Sequence, residues 1–397
     1  GVGALVTNTP LGIFLSGTPR SFPSLLAAAT TGALSRAKVA TVVLGGDAHA
    51  EGGLAGDIAA GRDPFAGVRA VLRAADVAVV NLETPTALGT PADKSITFAA
   101  DAALLPALAT AGADAVTLAN NHALDQGGPA LAATVAAGED AGLAVVGAGP
   151  DASTAAAPAL FDTPAGTVAV LGLATVRHDA SWAAGTPDDA GWGVADATTP
   201  EAAAVAVRAA SRLADHVVVT VHWGGELREC PSLAETRLAD VLIAAGADVV
   251  AGHHPHVLQG IDVRDDAVVA FSLGNLAFAA ANPDTRRGGL LRVTLDQGGV
   301  IAHELVPLEL DRVGRPRIAD GLDAERAAAV LRARSPGGGT CPAGIWDGGK
   351  AGIPSGRISP LGAPGSDDVA QHADALDLQL DHVAGRQVRV PLATAGG

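Results

Sequence analysis

The 397-residue chain has no methionine and no tyrosine, and aromatic residues make up only 3% of it. Its core must therefore be built from Ala, Val, Leu and Ile. The missing methionine fits a processed or trimmed chain. Positive charge is scarce: 26 Lys and Arg stand against 42 Asp and Glu, a formal charge of −16. Such a surface repels nucleic acid and anionic membranes. No basic stripe with interleaved aromatics offsets it, so nucleic acid is not an expected partner. No apolar run reaches the roughly 20 residues that a membrane helix needs, so no membrane span is expected. The opening GVGALVTNTPLGIFLSG lacks the positively charged start of a secretory signal. The chain is expected in the cytoplasm, or secreted or at the surface after loss of a leader not present in it. Cysteine is limited to Cys230 and Cys341, far apart and without metal-ligand spacing. Two unpaired thiols are the favoured reading and a single disulfide the alternative.

What is present is a globular composition, 48% hydrophobic and 17% charged. The length admits two domains or one large α/β domain with an appendage. Residues 1–37 carry one weak helix, SFPSLLAAATTGALSRA, and no chemistry, and are taken as an N-terminal extension. Short β-branched runs then alternate with alanine-rich stretches, the pattern of an α/β domain over residues 38–312. The runs are VATVVLGGD, DVAVVNLE, DAVTLANNH, LAVVGAG, TVAVLGLAT, HVVVTVHWG, DVVAGHHPH, AVVAFSLGN and GLLRVTLD. Helices are expected over DPFAGVRAVLRAA, ADAALLPALATAG, GGPALAATVAAGEDAG, TPEAAAVAVRAASRLAD and PSLAETRLADVLIAAG. Residues 313–397 form a C-terminal extension, Gly/Pro/Ser-rich from about 335, then a helix (about 367–384) and the strand RQVRVPL. The irregular part reads either as a lid over a cleft or as a linker. No tandem repeat of fixed period is visible.

Metal-binding residue types recur where the runs end: Asp47 with His49, Glu83, Asn121 with His122, His222, and His254 with His256. In α/β sheets the carboxyl ends of strands converge on a ligand crevice. If these strands are neighbours, six of the chain's 11 histidines (49, 122, 222, 253, 254 and 256) meet in one place. Each element alone has a bland explanation, as cap, turn or satisfied core histidine; their joint placement points to metal. Two divalent cations need a bridging carboxylate and several further ligands. Imidazole with carboxylate suits Mn, Fe or Zn rather than Ca or Mg. Side chains alternate along a strand, so His254 and His256 are expected to share a face and His253 to point away. His178, His216, His303, His372 and His382 lie off the pattern and read as structural or surface residues.

Taken in order, GGD, NLE, TLANNHALDQG, VHWGGE, AGHHPHVLQG and FSLGN resemble the signature blocks of the CapA-type proteins, associated with bacterial poly-γ-glutamate capsule synthesis. The resemblance spans roughly Lys38 to Leu310, and its motifs are specific in order and spacing. That family is similar to the calcineurin-like metallophosphoesterases. The implied fold is a four-layer α/β/β/α sandwich of two mixed sheets with a Gly/Pro-rich C-terminal appendage. The resemblance implies Asp47, His49 and His256 on a first metal, Asn121, His222 and His254 on a second, and Glu83 bridging both. His122 would face the substrate as general acid. Glu226, Lys94, Arg228, Ser272 and Asn275 lie in or beside the blocks as substrate-contacting or ligand-orienting candidates, with Glu226 placed to accept the distal N–H of a metal-bound histidine. Two departures from the wider superfamily stand out. Glu83 replaces a bridging Asp, and Asn120 replaces the Gly of G-N-H, which is expected to tighten that loop.

The implied chemistry is hydrolysis of a phosphate ester by a hydroxide held between two divalent transition-metal ions, with His122 protonating the leaving oxygen. A second reading keeps the metals and moves the chemistry to an amide or γ-glutamyl bond. A third is a non-catalytic accessory of capsule synthesis. The presence of every expected ligand together with His122 favours an enzyme, and the acidic surface favours a small phosphorylated or γ-glutamyl substrate over a polyanionic polymer.

Overall fold

The computed structural model describes residues 38–176, 182–185, 191–280 and 282–346. The expected N-terminal extension, the helix near 367–384, the strand RQVRVPL, and His178, His372 and His382 lie outside the described residues.

Two mixed sheets carry the fold. In the first, strands run in the order Pro316–Ile318, Gly299–Leu310, Arg287–Asp296, Ala40–Ala48, Val77–Leu82, Ala115–Thr117 and Ala144–Val146. The last four are mutually parallel, and the other three are joined by antiparallel pairings. In the second the order is Ile261–Arg264, Ala267–Ala270, Val249–His253, His216–His222, Gly166–Ala174 and Ala159–Thr163, antiparallel only at its two edges.

Period-two alternation sorts the side chains. Val42, Leu44, Val77 and Val79 meet Val168, Val170, Val218 and Val249 between the sheets. Val43, Ala78, Val80 and Val116 face outward onto helices Gly52–Ala59, Leu104–Ala111 and Gly128–Asp140. On the far side Leu171, Val217, Val219 and Val250 pack under helices Pro200–Ser211 and Leu233–Ala244. The result is the expected α/β/β/α sandwich, and its core is aliphatic, as the dearth of aromatics requires.

Local departures from expectation have local causes. LAVVGAG splits into Ala144–Val146 and Ala148–Gly149 because Gly147 turns the chain at φ 83°. Only Arg69–Leu72 of DPFAGVRAVLRAA is helical; the Asp63 side chain takes the Phe65 N–H and the Arg69 guanidinium, which favours turns. Past residue 312 the same architecture continues. Strand Pro316–Ile318 pairs with Gly299–Leu310, and helix Gly321–Arg334 sends Ala327 and Leu331 into the core between the sheets.

The favoured reading of two unpaired thiols is corrected: Cys230 and Cys341 form a disulfide across 111 residues. The two cysteines are brought together because helix Gly321–Arg334 returns the chain beside the loop after strand His216–His222, where Arg334 also pairs with Glu229 at 2.7 Å.

The two sheets exchange chain at one crossing. After Ala267–Ala270 the chain leaves the second sheet, and Asn275–Ala277 joins the first beside Ala40–Ala48. The backbones come so close there that a Cβ on Gly46 would lie 1.9 Å from the Gly274 carbonyl oxygen, and one on Gly252 would lie 2.0 Å from that of Phe271. Each glycine immediately precedes a polar residue on the rim, Asp47 and His253.

This architecture makes two outcomes measurable. Gly46→Ala should lower stability by at least about 1–3 kcal/mol through overpacking against an immovable carbonyl, read as a drop in the thermal unfolding midpoint. Unreduced protein should give no alkylatable thiol on mass spectrometry. Reduction should lower the midpoint further, because the link closes a long loop worth about 2–4 kcal/mol.

Candidate metal centre

The parallel strands of both sheets deliver their carboxyl ends to one rim. Asp47 lies near the end of Ala40–Ala48, Glu83 follows Val77–Leu82, and His222 closes His216–His222. His253 closes Val249–His253 and stands in register with His222 on the adjacent parallel strand. Parallel register partners project to the same side, and the strand ends at His253. His253 therefore turns toward the site, not away from it as strict alternation predicts. Its Nδ1 lies 3.2 Å from Asp47 Oδ1. His254 (φ 94°) and His256 (φ 57°) then adopt left-handed backbone conformations that cost roughly 1–3 kcal/mol each and cluster at functional sites. The turn brings both rings in as well.

Two groups of donor atoms result: Glu83 with His222 and His254, and Asp47 with Glu83 and His256, the atoms of each within 4.8 Å of one another. Glu83 belongs to both. Its Oε1 is 3.4 Å from His222 Nε2 and 3.7 Å from His256 Nε2. The side chain is fully buried, and neither oxygen has a hydrogen-bond partner. Asn121 joins the first group, its Oδ1 2.7 Å from His222 Nε2. His49 stands outside both groups. Its ring stacks on Phe98 at 4.1 Å with both nitrogens buried and without a hydrogen bond, and Nε2 lies 3.6 Å from Glu51.

A ring of amides orients these groups. Asn81 Nδ2 donates to Asp47 Oδ1 at 2.8 Å, and Asn275 Oδ1 is 2.9 Å from His256 Nδ1. The backbone N–H of His254 donates to Asp47 Oδ2. Asn120 gives its Nδ2 to Asn81 Oδ1 and the Leu82 carbonyl, and its Oδ1 accepts the His122 N–H. The Asn that stands in place of Gly thus ties the loop to the neighbouring strand.

His122 is held separately. Its Nδ1 donates to Asp125 Oδ2 at 2.6 Å, which leaves Nε2 outside that hydrogen bond. Lys94 pairs with Asp125 Oδ1 at 2.5 Å, donates to the Asn121 carbonyl, and lies 5.0 Å from the Trp182 ring centroid. Phe98 stacks on His122 at 3.9 Å and gives its N–H to Asp125 Oδ2. A cleft of about 420 Å³ opens over this face, lined by Lys94, Ser95, Ile96, Asn121, His122, Val176 and Glu226.

Of the remaining candidates, Glu226 lines the cleft, and Asn275, not Glu226, accepts from a ligand histidine. Arg228 is exposed, and its backbone bonds to Gln259 and to the Gly225 carbonyl. Ser272 is buried, and its hydroxyl caps the Gly274 N–H in the crossing between the sheets. Sequence reasoning missed Asn81, Phe98 and Asp125. Asn81 is a polar residue inside an apolar strand, and Asp125 sits three residues after His122; both are signals. Phe98 gives none. His216 and His303 lie away from the rim, in strands His216–His222 and Gly299–Leu310.

The electrostatics show what the cluster lacks. Burial pushes Glu83 well above the carboxylate range. Burial also opposes ionisation of Asp47, but His253 and His256 hold it well below that range. His222 and His254 are pushed down by burial and by neighbouring imidazoles, His254 to about 4. Burial disfavours protonation of His256 too, yet Glu83 and Asp47 overcome this and raise it to about 10. Protons thus offset the two carboxylates, one on His256 and, through the raised pKa, one shared by Glu83 itself. The orphaned Glu83 oxygens and the unpartnered His254 Nδ1 fit a divalent transition metal, which Glu83, His222 and His254 or Asp47, Glu83 and His256 could hold.

Residues 41–280 match the family model described as bacterial capsule synthesis protein PGA_cap. A Bacillus anthracis protein named capsule biosynthesis protein CapA is 30% identical over 281 residues, 67% of this chain and 66% of that protein. The chain thus spans just under two thirds of that relative's length. A Mycobacterium tuberculosis protein named as a probable polyglutamine synthesis accessory protein is 30% identical over 270 residues, 64% of this chain and 71% of its own length. Among solved structures, one described as a novel phosphatase from Mycoplasma pneumoniae aligns with a TM-score of 0.41 at 12% identity, covering 69% of this chain and 94% of that one.

Because His256 must be neutral to ligate, cation uptake should expel its proton. Its folded-state pKa of about 10 means that the proton is fully present near neutral pH and that apparent affinity climbs with pH up to that value. Mn²⁺ titration in weakly buffered solution near neutrality should release at least about one proton per chain, with affinity rising with pH. Uptake without proton release would contradict this charge assignment.

Proposed function

The chain belongs to the bacterial capsule synthesis protein family, and we propose that it is a metal-dependent hydrolase that holds two divalent transition-metal ions, Mn, Fe or Zn, and cleaves a phosphate ester. The supporting observation is Glu83: one buried carboxylate with no hydrogen-bond donor, shared by two groups of ligand atoms. An ionised carboxylate is not left uncompensated in a protein interior, and sharing between two groups is what a bridging ligand requires. Metal ions there would supply Lewis acidity, polarising the scissile group and making a water acidic enough to act near neutral pH.

This chain's own residues do the rest. Asp125 holds the Nδ1–H of His122 and so turns Nε2 toward the cleft, and the protonated ring serves as general acid toward the leaving group through Nε2. Asp125 in turn is locked by Lys94 and by the Phe98 N–H. The Lys94 charge is engaged by Asp125, so Lys94 positions the acid and carries no free charge for the substrate. Burial lowers the pKa of His122 against the pull of Asp125, so its imidazolium gives up a proton more readily but is less populated at neutral pH. Phe98 walls the ring and keeps water from one of its faces.

A second reading, action on an amide or γ-glutamyl bond, draws support from the names of the relatives, which refer to capsule and polyglutamine synthesis. The same polarising centre serves a carbonyl as well as a phosphoryl group. Among the described residues no helix is long and apolar enough to cross a membrane. Of the two locations expected, the Cys230–Cys341 disulfide favours the secreted or surface one, since disulfides persist in oxidising compartments.

Purified protein reconstituted with Mn²⁺ or Zn²⁺ should bind up to two ions per chain and hydrolyse generic phosphate mono- or diesters in preference to γ-glutamyl amides. His122→Ala should keep its metal and lose about 10²–10⁴ in kcat, with Asp125→Asn lower than wild type in the same direction. Binding of no ion after reconstitution would defeat the proposal. Turnover confined to γ-glutamyl amides would replace it with the second reading.

A further inference from the structure

The two oxygens of Asp47 face different neighbours. Oδ1 receives the Asn81 amide at 2.8 Å and stands 3.2 Å from His253 Nδ1. Oδ2 receives the His254 backbone N–H at 3.2 Å and stands 3.2 Å from His256 Nδ1. Oδ2 is thus on the side of the donor group formed with Glu83 and His256. His253 is 1% exposed, and among the described residues its two ring nitrogens meet no hydrogen-bond geometry, Nδ1 making the 3.2 Å approach to Asp47 as an ion pair. Burying a whole imidazole for no contact is costly, so its approach to Asp47 is the one interaction that accounts for its placement. His253 belongs to neither group of converging ligand atoms. Its position therefore suits holding a ligand, not being one.

We propose that His253 is a positioning residue for the first cation: with Asn81 it occupies Asp47 Oδ1, so that the carboxylate meets the metal through Oδ2 alone. The inference rests on the metal-binding reading above. The mechanical reason lies in the backbone. Gly252 brings strand Val249–His253 against the Phe271 carbonyl, and register with His222 aims the His253 ring at the rim. A carboxylate free to rotate would present one oxygen or both, and each swing would move the first cation relative to the second. Held at Oδ1 from two sides, Asp47 offers a single fixed donor. Outer partners of this kind contribute about 10–100-fold to metal affinity.

The test is Mn²⁺ binding by the full, disulfide-linked chain, read by calorimetry and by the electron paramagnetic resonance of free Mn²⁺, for wild type and three variants. His253→Asn keeps a nitrogen donor near the place of Nδ1 and should bind close to wild type. His253→Gln carries its amide past Asp47 Oδ1, and His253→Leu removes the donor altogether. Both should still bind two ions at saturation, with one of the two steps weakened about 10–100-fold. Circular dichroism confirms the fold of each, and should His253→Leu not fold, the Asn-versus-Gln contrast decides. Wild-type affinity in His253→Gln or His253→Leu would overturn the inference while leaving the metal centre intact. A fall from two ions to one at saturating Mn²⁺ would also overturn it, because His253 would then be a ligand. A wild-type protein that binds no Mn²⁺ would remove both this inference and the reading beneath it.

Discussion

Everything at the rim answers to one carboxylate. Glu83 is fully buried and meets no hydrogen-bond donor. The idealised cost of moving a carboxylate into a dry interior is of order 20 kcal/mol, and several kcal/mol survive relaxation. No small domain tolerates that without compensation, since its whole margin is about 5–15 kcal/mol. The surrounding residues divide the compensation. Lys94 is tied to Asp125, and compensation at Glu83 comes as a proton on its own carboxyl or on His256, or as a metal ion. The acidic chain as a whole, at −16, adds to the same demand.

Crowding polar side chains around that carboxylate requires two sheets to approach more closely than side chains allow. Gly46 and Gly252 supply the room, and the crossing strand Asn275–Ala277 is pinned by the hydrogen bond from Asp47 N–H to the Gly274 carbonyl. The left-handed residues His254 and His256 have their origin in the same geometry. A strand continued with ordinary alternation would put His254 and His256 on one face and His253 on the other. Bending at 254 and again at 256 brings His253, His254 and His256 toward the same pocket. The strain at these positions and the metal-ligand chemistry have one cause.

Much of this was legible in the sequence, and the pattern of failure is physical. The alternation of β-branched runs with alanine-rich helices revealed the layers, because period two and period 3.6 are written in every stretch. The ends of those runs marked Asp47, Glu83, His222 and His254, since a polar residue after an apolar run signals where a strand leaves the core. What failed depended on partners distant in sequence or on backbone outside the regular periods. Alternation put His253 on the wrong face because the strand stops at that residue. The Cys230–Cys341 link, 111 residues long, has no local signature. Glu226 is suited to orient a histidine by its nearness in sequence, but the side chain that does so, Asn275, comes from the crossing between the sheets. Phe98, stacked between His49 and His122, sits in an irregular segment whose course no periodicity reveals.

The irregular segment around Lys94 and Phe98 also explains why the acid and the cleft are not independent. Asp125 is the shared point: His122, Lys94 and the Phe98 backbone all converge on its two oxygens. The Ala92 N–H bonds to the Asp125 carbonyl, and Gln126 donates to the Phe98 carbonyl, so both ends of the segment are strapped to the turn that carries His122. Ser95 and Ile96, between those straps, form one wall of the cleft. A displacement of that wall must pull on the carboxylate that holds the Nδ1–H of His122. The cleft wall and the His122 ring are therefore tied to one buried carboxylate, while the Glu83 cluster is held by Asn81, Asn120 and Asn275. The two groups of side chains meet at the Asn120–Asn121–His122 backbone, where Asn121 lies against His222 and His122 against Asp125.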